Sequence, residues 1–263
     1  MRRRLLSPLV ASLSDLRRAP GATGIFLDFD GTLAPIVVDP AAARPVTGAA
    51  DVLHALAERY ASVAIVSGRP VRFLAEHLGL IGSRVGAYGL YGLEHLDGDE
   101  ARSHPEAARW RAVIDDAAAA AEVAAPAGVG VERKGLTLAL HVRPAPEHDE
   151  WARHFAEAEA AQRGLRVDRG RLAYELRPPI DVNKGTVVGD LVQGLDSAAF
   201  IGDDRGDLLA FDALDRFVAD GHVAAKVAVA SAEAPPELLE RADEVLAGPT
   251  AVVEALRGML AEA

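Results

Sequence analysis

The chain contains no cysteine. That excludes a disulfide scaffold, an iron–sulfur cluster, thiolate-bound zinc and a cysteine nucleophile. It has no apolar run near the roughly 18 residues that cross a bilayer, so no membrane role is expected. Positive charge is in deficit: 28 Lys and Arg stand against 39 Asp and Glu, a net charge of −11. A nucleic-acid binder needs a basic surface, so that class is set aside. An anionic substrate is compatible only where a local cation or metal reverses the overall field. Lysine is scarce even among the basic residues, with Lys134, Lys184 and Lys226 beside 25 arginines. In a chain that uses arginine by default, a lysine marks a candidate place for a compact ammonium.

What is present suffices for folding. The 263 residues are 50% apolar and 25% charged, enough for a sizeable core in one large domain or two modest ones. Met1-Arg2-Arg3-Arg4 followed by Leu5-Leu6-Ser7-Pro8 sets charge before an apolar stretch. Pro8 breaks that stretch and no small-x-small cleavage site follows, so it reads as a short helix leading into a cytoplasmic protein.

Residues 24–30 form a short apolar run ending in carboxylates, residues 51–60 have helical spacing, and residues 63–66 are a second buried-strand candidate. Strand, helix, strand is the pattern of a parallel α/β sheet. It resumes near the C-terminus with a helix over 184–193, a strand over 198–204, a helix over 208–217, a strand over 223–230 and a helix over 252–260. The middle differs. Residues 105–125 and 147–163 read as helices. Residues 129–133 and 136–142 form a hairpin turning near Lys134-Gly135, and 166–176 hold two more strands turning near 168–170. The stretch from Ser67 to Lys184 is also far longer than the about 30 residues one βα unit needs. The expectation is a Rossmann-like, doubly wound parallel-sheet core of residues 1–102 and 180–263 with an inserted α+β cap over 103–179.

Asp28-Phe29-Asp30-Gly31-Thr32-Leu33 is the most informative run. Carboxylates at i and i+2 of a strand point to one side, just past the strand end where α/β folds place ligands. Held together they repel, and a hard divalent ion such as Mg²⁺ resolves the repulsion. Ser67 and Gly68 follow the next strand, where a hydroxyl and a backbone N–H suit a phosphate oxygen, although Ser-Gly-Arg-Pro is equally a good turn. Lys184 opens a helix, where it does not help the macrodipole, which favours a functional role. Asp203, Asp204 and Asp207 cluster after a strand, as metal ligands or a helix cap would.

These four strand-end elements, in this order, resemble the haloacid dehalogenase-like phosphohydrolases. The resemblance implies that Asp28 attacks phosphorus, that Asp30 serves as acid and then base, and that Ser67 and Lys184 hold phosphoryl oxygens. Mg²⁺ is then bound by Asp28, the Asp30 backbone carbonyl and Asp203, with Asp207 nearby. Gly89-Leu90-Tyr91-Gly92-Leu93-Glu94, the 132–143 segment from Glu132 through Lys134 to Arg143, and Glu175-Leu176-Arg177-Pro178 resemble segments of trehalose-6-phosphate phosphatases. That implies that Glu94, Lys134 and Glu175 bond the hydroxyls of the sugar distal to the phosphate, with Gly31, Thr32, Gly68, Arg69 and Arg177 completing the substrate set. His141, Trp110 and Trp151 read as structural. Gly206 and Leu208 depart from the family's usual threonine and glutamate, which puts the surroundings of the metal in doubt. The implied substrate is a small sugar phosphate, with the trehalose-6-phosphate-forming synthase as a candidate partner. Glucosylglycerol phosphate or mannosylglycerate phosphate as substrate, a sugar-phosphate mutase, and a non-catalytic sensor stand as alternatives.

Overall fold

The computed structural model describes residues 12–170 and 172–261, so the helix expected over the first residues falls outside the described range. The strands and helices, in chain order, are β1 (Thr23–Leu27), α1 (Ala49–Ala57), β2 (Ser62–Val66), α2 (Val71–Leu78), β3 (Gly86–Gly89), β4 (Glu94–Asp97), β5 (Glu100–Ser103), α3 (Arg111–Ala124), β6 (Gly130–Arg133), β7 (Leu138–His141), α4 (Asp149–Arg163), β8 (Arg166–Gly170), β9 (Ala173–Arg177), α5 (Lys184–Leu191), β10 (Ser197–Gly202), α6 (Leu208–Ala219), β11 (Val223–Val229), α7 (Pro236–Arg241), β12 (Glu244–Leu246) and α8 (Gly248–Leu260).

Eight strands form one sheet in the order β12-β11-β10-β1-β2-β3-β4-β5. The pairings from β12 to β3 are parallel, and β4 and β5 add an antiparallel edge. From β1 the chain winds outward through β2 and β3, then returns at β10 on the other side. The order therefore reverses between β1 and β10, which is where open α/β sheets bind ligands. Alternation along the strands fills both faces. Ile25 and Leu27 join Val63, Ile65 and Ile201 under α1, α2 and α8, while Phe26, Val66 and Phe200 meet Val188 of α5 and Phe211 of α6. Burial on both sides explains why these strands read as continuous apolar runs.

The second sheet has the antiparallel order β6-β7-β9-β8. Its apolar face carries Leu138, Leu140, Tyr174 and Leu176. Against these pack the alanine stripes of α3 (Ala117, Ala118, Ala121) and α4 (Ala152, Ala156, Ala160). Small residues let the helices lie close to the sheet. The alternate residues of β9, Glu175 and Arg177, point to the opposite face and are also buried. Trp110 and Trp151 pack against this apolar cluster, as expected of structural residues. The helix expected from residue 105 starts at Arg111 instead, because residues 108–110 take a 3₁₀ turn.

Candidate active site

The geometry starts at the end of β1. The Asp28 N–H donates to the Ile201 carbonyl at 2.9 Å, so the carboxylate leaves the sheet at the reversal point. Phe29 turns the other way into the core, edge-on to Phe73. Gly31 then takes φ +76°, and a Cβ there would lie 1.9 Å from Asp203 Oδ2, so no other residue fits this turn without displacing that acid.

Lys184, first residue of α5, has a side chain only 2% exposed. Asn183 caps the helix and fixes its start. The ammonium lies 3.0 Å from Asp28 Oδ2 and 2.6 Å from Asp207 Oδ1. Asp207 Oδ2 accepts from the backbone N–H groups of Asp203 and Asp204 at 2.9 and 3.0 Å. Asp204 caps the following turn by accepting from the Asp207 N–H, while Asp203 and Asp207 are buried beside Asp28. One carboxylate oxygen from each of Asp28, Asp203 and Asp207 lies within 4.8 Å of the others.

Electrostatics marks this as a place for a cation. Burial, opposed by Lys184, pushes the Asp28 carboxyl up to about 6. Burial and then the Asp28 and Asp207 charges push Asp203 up to about 9. Burial alone would lower Lys184, but the surrounding carboxylates outweigh it and hold the ammonium well above its ordinary range. Asp28 Oδ1 is buried with no hydrogen-bond partner. Three hard oxygen donors this close, one of them orphaned, fit a hard divalent ion. The Asp30 carboxylate, expected to act as acid and base, is held by Arg69, with Nε and Nη2 each 2.7 Å from an oxygen.

Ser67 is buried at the end of β2, beside β1, and its hydroxyl accepts from the Arg69 N–H at 3.3 Å. Thr32 is buried and donates to Asp203 Oδ1 at 3.4 Å, so it orients an acid of the cluster. Gly68 offers its carbonyl to Lys134 Nζ at 3.4 Å, a contact between the turn after β2 and the hairpin of the second sheet.

Lys134 also reaches Glu175 Oε2 at 3.2 Å. Glu175 further accepts from Thr137 Oγ1 at 2.6 Å and the Tyr91 hydroxyl at 3.3 Å. Lys134, Glu175 and Tyr91 thus form one partly buried polar group between the two sheets. Arg177 pairs with Asp168 at 2.9 Å, donates to the Val182 carbonyl, and lies over the Tyr91 ring. Glu94 is placed apart from this group in its bonding: it accepts from the Val71 N–H at 3.1 Å, at the start of α2. Burial raises its carboxyl pKa. His141 bonds Glu132 at 2.7 Å, a structural contact.

Sequence reasoning gave no role to Tyr91 or Thr137. Tyr91 is partly buried, and it and Leu90 take φ of +60° and +49°, rare for bulky residues. Hydrogen bonds from the Leu90 N–H to the Arg69 carbonyl and from the Tyr91 N–H to the Ser67 carbonyl, both 2.9 Å, hold the strained pair on the turn after β2. The signal in the sequence was the pair of glycines around Leu90-Tyr91, which marks an unusual turn without saying what it touches.

The trehalose-phosphatase family model matches residues 26–237. The chain is 37% identical over 205 residues to the trehalose-phosphate phosphatase of Mycolicibacterium paratuberculosis, covering 72% of this chain and 51% of that protein. It is 37% identical over 226 residues to that of Mycobacterium marinum, covering 80% and 57%. The chain thus spans about half the length of these curated relatives. The solved C-terminal domain of a C. albicans trehalose-6-phosphate phosphatase superposes with a TM-score of 0.76 at 25% identity, over 94% of this chain and 95% of that one.

Proposed function

The chain belongs to the trehalose-phosphatase family, and from that premise we propose that it hydrolyses trehalose 6-phosphate to trehalose and inorganic phosphate. The observation that carries the reading is the buried, unpartnered Asp28 Oδ1 at the sheet reversal, beside a buried lysine and two further acids. Asp28 attacks phosphorus, the bond from phosphorus to the sugar oxygen breaks, and Asp30 gives that oxygen its proton. Asp30 then takes a proton from water as the water attacks the aspartyl-phosphate, which frees phosphate and restores Asp28. Lys184 and the Ser67 hydroxyl hold phosphoryl oxygens throughout. Asp28, Asp203, Asp207 and the Asp30 carbonyl are the residues that would hold Mg²⁺, which supplies charge neutralisation for the transferring group.

Residues 103–179 act in this reading as a cap that selects the sugar. Glu175 and Lys134 offer an acceptor and a donor for sugar hydroxyls, and Glu94 a second carboxylate. A ligand entering there competes with the bonds from Tyr91 and Lys134 to Glu175, so binding and repositioning of the cap are coupled. The test is phosphate release from trehalose 6-phosphate, glucose 6-phosphate, glucosylglycerol phosphate and mannosylglycerate phosphate, with and without Mg²⁺. The expected result is Mg²⁺-dependent release with the highest kcat/KM on trehalose 6-phosphate. Preference for another glycosyl phosphate overturns the substrate, and isomer formation without phosphate release overturns the reaction.

A further inference from the structure

We propose that Arg69 is a positioning residue for Asp30 and not a ligand of the substrate. The inference rests on the reading of Asp30 as acid and base given above. Arg69 is buried, and all three of its guanidinium nitrogens are engaged. Nε and Nη2 each donate to a different oxygen of Asp30 at 2.7 Å, and Nη1 donates to the Pro40 carbonyl at 2.8 Å. The guanidinium carbon lies 4.6 Å from the centre of the Phe73 ring, which supports the plane from one side. Two parallel bonds from one rigid plane fix both the direction and the rotation of a carboxylate.

The backbone of Arg69 is fixed as firmly as its side chain. Its N–H donates to Ser67 Oγ and its carbonyl accepts from the Leu90 N–H. Gly89 at the end of β3 packs directly on it, since a Cβ there would lie 2.6 Å from the Arg69 carbonyl oxygen and 2.4 Å from the Val71 nitrogen. Asp30 needs such a support. It follows the last residue of β1 by three positions, precedes a glycine with positive φ, and its side chain is 35% exposed. Nothing in its own segment fixes the side chain, so the fork from Arg69 does. Each carboxylate oxygen has a second lone pair, so a paired Asp30 can still give or take a proton. The Pro40 bond adds the loop between β1 and α1 to the same support.

The test uses the whole chain and follows kcat and KM for trehalose 6-phosphate together with the single-turnover release of p-nitrophenolate from p-nitrophenyl phosphate. Arg69→Lys keeps a cation and most of the carbon stem but cannot make the fork. A catalytic group displaced by about 1 Å loses on the order of 100-fold in rate. The expected result is therefore a fall in kcat on trehalose 6-phosphate of about 10- to 100-fold with KM within about threefold. The loss on p-nitrophenyl phosphate is much smaller, because p-nitrophenolate leaves without a proton. In an Asp30→Asn background Arg69→Lys causes no further loss of p-nitrophenolate release. Phe73→Leu, which loosens the guanidinium without removing it, gives the same pattern at smaller size and serves if the lysine variant does not fold. A raised KM with kcat retained, or the same fold-loss with and without Asp30, overturns the assignment. If the unmodified chain releases no phosphate from any sugar phosphate, the functional reading falls and takes this inference with it; if it does and the losses are additive, only the role of Arg69 falls.

Discussion

Replacing Lys184 by methionine keeps an apolar stem of similar length and removes only the ammonium. That ammonium is 3.0 Å from Asp28 and 2.6 Å from Asp207, in a side chain 2% exposed. Breaking a buried pair by removing one partner costs about 3–5 kcal/mol, because a charge is left uncompensated. In a domain of this size each kcal/mol shifts the melting temperature by about 2–4 °C, so a fall of roughly 6–20 °C is expected with divalent metal chelated. Urea unfolding at pH 7.5 should show the same loss in midpoint with an unchanged slope. The deficit should shrink as pH falls towards 5. Burial already raises the Asp28 carboxyl to about 6, and without Lys184 it rises further. A carboxyl with a raised folded pKa binds its proton more tightly in the folded state, so acid relieves the buried charge. Added Mg²⁺ should recover part of the loss by replacing the missing positive charge. A destabilisation below about 1 kcal/mol at pH 7.5 without metal, or one that grows on acidification, would refute the reasoning.

The unmodified chain should show the same sign. With metal chelated, the folded state holds protons on Asp203 and Asp28 (about 9 and about 6) that the unfolded state has already released, so stability falls as pH rises from 5 through 9. The slope should be roughly 1 kcal/mol per pH unit for each such proton, and Mg²⁺ should flatten it; chemical denaturation across that range decides. Asp28→Asn should abolish turnover while leaving the melting temperature unchanged or higher, since a neutral amide replaces a buried charge; retained turnover would remove Asp28 as nucleophile. Glu175→Ala should cut kcat/KM on trehalose 6-phosphate at least tenfold more than on p-nitrophenyl phosphate, about 1.4 kcal/mol of difference; equal losses would remove Glu175 from sugar recognition. Gly31→Ala should displace Asp203 and weaken Mg²⁺ binding by about 10- to 100-fold, read by calorimetric titration; unchanged affinity would show that the turn tolerates a side chain.

Much of the layout was legible because it is written locally. Apolar runs ending in acids gave β1 and β10, one ending at Ser67 gave β2, helical spacing gave α1 and α6, and the hairpin of the second sheet turns near Lys134 and Gly135 as expected. The sequence pattern does not mark α2, α7 or the short strands β3, β4, β5 and β12. β4 is partly buried and the edge strand β5 largely exposed, both with little apolar alternation, and they depend on β3, to which β4 pairs and β5 pairs through β4. Arg69 enters the substrate set only through the family resemblance, and in a chain with 25 arginines nothing in the sequence marks this one as different.

The sequence by itself determined which side chains stand at strand ends, which side of a strand they face, and that three such ends carry acids and a hydroxyl while one helix start carries a lysine. Those are consequences of periods of two and 3.6 residues, which neighbours in the chain settle between them. The tertiary structure alone decided who meets whom. Asp30 finds Arg69 39 residues later, and Thr32 finds Asp203 171 residues later. Such pairings follow from the order of strands in the sheet, and that order is set by packing both faces at once, which no short stretch of chain can encode.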